Sequence, residues 1–180
     1  MTRTLFAGLL AIAAAPALAQ APAQPQPAAA AQTYEAAITG AKGDQIGKIA
    51  IRSGENATVV RITINAGGLT PGWHGIHFHS IGDCSDVGKF ELSKGHVNHE
   101  SAKHGLLNPE GPDEGDLPNI YANADGSANA EVSSESIVLT GEQGLKDRDG
   151  SALVIHASED DHASQPIGNA GARVACAVIK

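Results

Sequence analysis

The 180-residue chain is short of basic residues: 12 Lys plus Arg, scattered singly, against 20 Asp plus Glu, for a net charge of −8. That argues against a nucleic-acid or anionic-membrane surface, since both need a concentrated positive field. Stretches free of Gly and Pro are scarce after residue 40, with 21 Gly and 9 Pro in the chain, which argues against long helices and coiled coils. No repeat of 20 to 50 residues is visible, so a solenoid is not expected. With two cysteines, Cys84 and Cys176, the chain allows one intramolecular bridge and no larger disulfide framework. Aromatics make up 3% of residues, with a single Trp and a single Met beside them. Against that background histidine is plentiful: eight, six of them between residues 74 and 104.

Residues 1–20 carry Arg3, an apolar run from Leu5 to about Leu18, and Ala17-Leu18-Ala19 before Gln20. This is the layout of a secretory signal peptide cleaved after Ala19. The run is short for a span of about 20 residues and is broken by Gly8 and Pro16, so a membrane anchor is not expected. The Ala/Pro/Gln tract 20–32 that follows has no charge and no periodicity and reads as a disordered leader. The folded domain is expected over 33–180. Export places the cysteines in an oxidising compartment, where a Cys84–Cys176 bridge is expected and two buried thiols are the alternative.

From Thr33 onward apolar residues alternate in short runs, most clearly Val60, Ile62 and Ile64 within Thr58–Asn65. Similar segments are Thr33–Thr39, Gly47–Arg52, Trp73–His79, Asn119–Ala124, Ala128–Val132, Ala152–Ala157 and Arg173–Ile179. These eight strands with Gly/Asp/Asn turns between them predict an all-β, antiparallel sandwich or barrel. Two connections, about Ser80–Pro118 and Ser158–Ala172, are too long for plain hairpin loops and are expected to be functional.

In Trp73-His74-Gly75-Ile76-His77-Phe78-His79, strand alternation projects His77 and His79 from one face, half of a transition-metal site. Alone, such a pair is more often a polar, solvent-facing edge. The long loop adds His96, His104, Asp113 and Asp116, and His156 closes the apolar run Leu153-Val154-Ile155. These segments, with Gly82-Asp83-Cys84, Lys103-His104-Gly105-Leu106-Leu107-Asn108-Pro109, Gly115-Asp116-Leu117-Pro118-Asn119 and Gly168-Asn169-Ala170-Gly171-Ala172-Arg173-Val174-Ala175-Cys176, resemble the secreted bacterial copper/zinc superoxide dismutases in order and spacing.

The resemblance implies an eight-stranded Greek-key barrel and a superoxide dismutase using copper and zinc. Copper would be held by His77, His79, His96 and His156, an all-imidazole set suited to Cu(II)/Cu(I) cycling. Zinc would be held by His96, acting as a bridge, with His104, Asp113 and Asp116. Asp160 would link a copper histidine to a zinc histidine, and Arg173 would attract and position superoxide beside copper. His96 and Arg173 are thus the catalytic candidates. Steering a small anion into an acidic protein, an established trait of the family, then requires a local positive spot at Arg173 and copper. Cys84 and Cys176 match the family's disulfide. The resemblance leaves monomer and homodimer open and implies a secreted protein, in the periplasm for a two-membrane cell.

Two departures stand out. Asp113 occupies the place of the family's third zinc histidine, and His99 replaces a proline. A carboxylate can ligate zinc at about 2.0 to 2.2 Å, so one reading has Asp113 as a ligand. In a second, zinc binds weakly or not at all; in a third, His99 supplies the missing nitrogen. The rival to the enzyme is a non-catalytic periplasmic copper-binding protein on the same fold. His74 is expected to be structural and His162 to lie on the surface of the second loop.

Overall fold

Alternating apolar residues write most of the sheet. In β3 (Thr58–Ile64), Val60, Ile62 and Ile64 are buried while Arg61 is exposed. It pairs antiparallel with β2 (Gln45–Ser53), and β2 with β1 (Gln32–Gly40), to form a meander. The structure, a computed structural model, describes residues 30–180. The expected signal peptide, 1–19, and all but the end of the leader, 20–32, lie outside those residues.

The remaining strands are β4 (Gly72–His74), β5 (Ile76–His79), β6 (Ile120–Ala122), β7 (Ala128–Ser134), β8 (Ser151–His156) and β9 (Arg173–Ile179). Seven of the nine strands form one antiparallel sheet in the order β5-β8-β9-β1-β2-β3-β7, and β4 pairs with β6. Neighbours far apart in sequence, such as β5 with β8 and β9 with β1, give the crossovers of a Greek-key half-barrel. In this sheet β9 alone touches both the meander and the β5–β8 pair.

The single strand expected over Trp73–His79 is two. At Gly75 the backbone changes partner: its N–H donates to Ser158 O and its carbonyl accepts from His156 N–H, both at 2.8 Å. A Cβ there would crowd Ala170 at 2.9 Å, so the second loop's close approach dictates glycine. A third long connection, residues 135–150, joins the two expected ones. Its Ile137, Leu139 and Leu145 are buried, and it is fastened to the Ser53–Thr58 turn by Thr58 Oγ1 donating to Ile137 O at 2.7 Å and Leu139 N–H donating to Ser53 Oγ at 3.0 Å. Its hydrophobics pack into the main core instead of forming a strand.

Every residue of β5 and β8 is buried, because both faces are covered. Ile76, Phe78, Leu153 and Ile155 enter the main core. The opposite face, with Ala152 and Val154, packs under the first loop with Phe90 and Cys176, against Cys84. His77 and His79 stand on this second face, across from Val154 and Ala152. Cys84 and Cys176 are disulfide-bonded, Cα to Cα 6.0 Å, tying the first loop to β9.

Candidate metal centre

A β-bulge sets the last piece of the site. Ile155 pairs with Ala175 but His156 pairs with Arg173, so the register slips by one residue at Val174. Val174 and Ala175 consequently both pack on the main core, and Arg173 is turned to the face that carries His156. Its Nη1 donates to Phe90 O at 2.7 Å and Ser93 Oγ at 3.1 Å, in and beside the short 3-10 turn Glu91–Ser93. Asp86 Oδ2 accepts from Glu91 N–H at 2.7 Å and steadies that turn.

The structure brings together every candidate ligand. His77, His79 and His156 have potential ligand atoms within 4.8 Å of one another, as do His96, His104, Asp113 and Asp116. The His77 and His96 rings lie 4.2 Å apart, so the two sets adjoin. In the first set each ring has one nitrogen committed. His77 Nε2–H donates to Asp160 Oδ2 at 2.8 Å, His79 Nδ1–H to Lys94 O at 2.7 Å and His156 Nδ1–H to Gly171 O at 3.0 Å. That fixes three tautomers and leaves the lone pairs of His77 Nδ1, His79 Nε2 and His156 Nε2 without partners, along with His96 Nε2. Burial holds His77 below its ordinary pKa and His79 well below it, and pushes His156 down to about 3. Neutral imidazoles with free, buried lone pairs are the donors a borderline transition metal takes.

The second set is built on carboxylates. His96 Nδ1 faces Asp113 Oδ2 at 2.9 Å and Asp116 Oδ1 at 3.5 Å, and His104 Nδ1 faces Asp116 Oδ1 at 2.6 Å. Each carboxylate's other oxygen is occupied by backbone. Asp116 Oδ2 accepts from Gly105 N–H at 2.7 Å and Asp113 N–H at 3.0 Å, and Asp113 Oδ1 accepts from Gly115 N–H at 3.0 Å. One oxygen per carboxylate is thus left to share a cation with the imidazoles, a two-nitrogen, two-oxygen set that fits zinc. Burial opposes charging His104, but the hydrogen bonds to Asp116 and Asp160 outweigh it and push its pKa up to about 10. His96 is raised by Asp113 and Asp116 against the same opposition from burial.

Asp160, fully buried, joins the sets: Oδ2 accepts from His77 and Oδ1 lies 3.1 Å from His104 Nε2. Gly168, at φ 59°, closes over it, and a Cβ there would overlap Asp160 Oδ1 and stand 2.9 Å from His104 Nε2. A cleft of about 340 Å³ opens beside His79, His96 and Arg173, with Gln165, Pro166 and Ile167 on its rim.

Three histidines stand outside the two sets. His74 is structural as expected, its nitrogens 2.6 Å from His156 O and 2.8 Å from Thr70 O. His99 turns to Glu114, whose carboxylate accepts from its backbone N–H and lies 3.3 Å from its Nδ1. The expectation of a surface His162 is overturned: its ring is 19% exposed and packs beside Asp160 and Asn119. Sequence reasoning also passed over Asn119, Gln165 and Lys94, whose contacts with Asp160, His104 and His79 run largely through backbone atoms and leave no motif.

A half-barrel with two adjoining sets of buried imidazole and carboxylate donors, beside a cleft with one arginine, defines a dinuclear metalloprotein. A family model described as copper/zinc superoxide dismutase (SODC) matches residues 45–179. The chain is 46% identical over 149 residues to a Cu-Zn superoxide dismutase of Caulobacter vibrioides, covering 81% of this chain and 84% of the relative. It is 43% identical to one of the Cu-Zn superoxide dismutases of Aquifex aeolicus, covering 81% and 85%. Among solved structures, a superoxide dismutase-like protein from Bacillus subtilis superposes with a TM-score of 0.76 at 32% identity, covering 81% of this chain and 97% of that one. The Cu/Zn superoxide dismutase of Brucella abortus gives 0.67 at 27%, covering 83% and 100%. The chain belongs to the copper/zinc superoxide dismutase family, and copper and zinc are its metals.

Proposed function

We propose that this protein is an exported superoxide dismutase in which His77, His79, His96 and His156 hold copper, while His96, His104, Asp113 and Asp116 hold zinc. The observation that carries the reading is the quartet of buried, unpartnered ring nitrogens, three with tautomers fixed by acceptors behind them. Copper held there supplies a one-electron centre, so that two superoxide ions and two protons become oxygen and hydrogen peroxide.

The chain's own groups do the rest. Arg173, braced against Phe90 and Ser93 at the cleft, attracts the anion and orients it. His96 Nε2, whenever it is released from the copper set, would carry the proton that the forming peroxide takes up, and Asp113 and Asp116 at its Nδ1 favour that protonated ring. Asp160 sets the orientation of His77 and His104 together. Support for an enzyme over a copper carrier comes from Arg173 and from the disulfide that anchors its strand.

Asp113 makes the zinc set harder and more negative than one with three imidazoles, so zinc is retained less firmly than in relatives with the third histidine. His99, engaged by Glu114, is not the substitute. The domain 33–180 acts after removal of residues 1–19, in the periplasm of a two-membrane cell, as a monomer or a homodimer. The test is dismutation activity of the copper-loaded protein with and without zinc, together with metal analysis after dialysis against a mild chelator. Activity with copper and partial loss of zinc are expected. Absence of activity in protein holding one equivalent of copper overturns the enzymatic reading, and full retention of zinc overturns the weakened site.

A further inference from the structure

Among the described residues five buried side-chain nitrogens have no hydrogen-bond partner, and four are the proposed copper donors. The fifth is Nδ1 of His162, outside both metal sets. Its surroundings determine where its proton lies. Asp160 N–H donates to Asn119 Oδ1 at 2.9 Å, which fixes the orientation of that amide. Asn119 Nδ2 is then the donor, to Asp160 O at 2.8 Å and to His162 Nε2 at 3.1 Å. A ring that accepts at Nε2 carries its proton at Nδ1. That N–H faces Asp160 Oδ2 across 3.5 Å, too long for a full hydrogen bond and close enough for a directed polar contact.

The two oxygens of Asp160 are held unequally. Oδ1 takes His162 backbone N–H at 2.7 Å as well as His104, whereas Oδ2 has only His77 as a bonded donor. The His162 ring, 19% exposed, packs beside this fully buried carboxylate. The residue's backbone lies in the left-handed region, φ 58°, and its carbonyl accepts from Leu107 N–H at 3.0 Å, binding the second loop to the first.

We propose that His162 is a positioning residue acting through Asp160: its Nδ1–H and its ring keep the carboxylate in the rotamer that serves His77 with one oxygen and His104 with the other. This rests on the metal assignment above. Without the ring, water reaches Asp160, the carboxylate rotates, and both metal sets loosen together, although His162 touches neither ion.

The left-handed backbone supplies the controls. His162→Gly removes the ring at a φ that glycine prefers, and His162→Asn keeps an amide donor near the Nδ1 position in a residue that tolerates this conformation. In the copper- and zinc-loaded protein, zinc release to a chromogenic chelator and the Cu(II) electron paramagnetic resonance spectrum are measured. The glycine variant is expected to release zinc roughly threefold to tenfold faster, below the usual effect of a direct ligand partner because it acts at one remove. Its copper spectrum shifts, and the asparagine variant returns both readouts toward wild type. A glycine variant with unchanged zinc release and copper spectrum overturns the proposal, and so does an asparagine variant as impaired as glycine. If the wild type retains neither metal, the metal assignment falls instead. The ring nitrogen NMR shifts of His77 and His104 in metal-free protein then decide whether His162 orients Asp160, by moving in the glycine variant and recovering in asparagine, or overturn it by staying fixed.

Discussion

Raising the pH should tighten zinc binding to the metal-free protein steeply, and copper binding less, through the shared His96 alone. A histidine must give up its proton to ligate a metal. His104, pushed up to about 10 by Asp116 and Asp160 in spite of its burial, is charged at neutral pH in the metal-free state. Each proton that zinc displaces makes the apparent dissociation constant fall about tenfold per pH unit until that group's pKa is reached. From pH 7 to 9, His104 alone therefore contributes on the order of 100-fold, and His96, also raised, steepens the lower part of the range. On the copper side burial lowers His77, His79 and His156, so copper displaces no proton from these three near neutrality. The same shifts govern stability without metals. The raised His96 and His104 stabilise the fold fully below about pH 6.5 and lose that contribution as pH climbs toward their folded values. The depressed His77, His79 and His156 cost stability as pH falls below about 6.5, since only the unfolded chain takes up those protons. Metal-free stability should peak near pH 6.5. Chelator competition at stepped pH measures the zinc constant, and an indicator dye counts one to two protons released per zinc at pH 7. A zinc constant that changes less than about threefold between pH 7 and 9 would refute the reasoning.

Arg173→Ala should lower the second-order dismutation rate by roughly tenfold or more and flatten its dependence on ionic strength. Metal content should be unchanged, and a salt dependence equal to wild type in stopped-flow assays contradicts the role. Replacing both Cys84 and Cys176 by Ser opens a loop of sequence separation 92, which in the chain-entropy model costs about 4 to 5 kcal/mol in urea denaturation. A loss under about 1 kcal/mol would mean that Phe90 and Val154 hold the first loop without the bond.

The strands were legible where one side chain in two had to be apolar: β3 and β9 lie where the alternation in Thr58–Asn65 and Arg173–Ile179 puts them. His77 and His79 share a face as alternation requires. That face is buried under the first loop instead of being an open edge, which no local pattern encodes. Alternation failed at Val174, because a bulge is a relation between two strands and neither strand alone records it. The connection 135–150 carries no strand signal, because only Ile137 and Leu139 keep a two-residue spacing and Leu145 stands apart. His162 reads as a surface residue of the second loop from its place in Glu159-Asp160-Asp161-His162. Its ring packs beside Asp160, which is buried among His77, His104 and His162, a grouping that exists only after two loops have met.

The position of β9 between β8 and β1 bears on the order of events in folding. By His156 the chain has every proposed metal ligand, yet the sheet still consists of a meander and a separate β5–β8 pair until residues 173–179 join them. Thr39 meets Cys176 and His77 meets Val154, so the closing contacts span most of the domain and form slowly. The metal centre is therefore expected to close last, when β9 joins the β5–β8 pair to the meander. Metallation follows completion of the final strand, and a C-terminal nick should empty the site more surely than a cut in any loop.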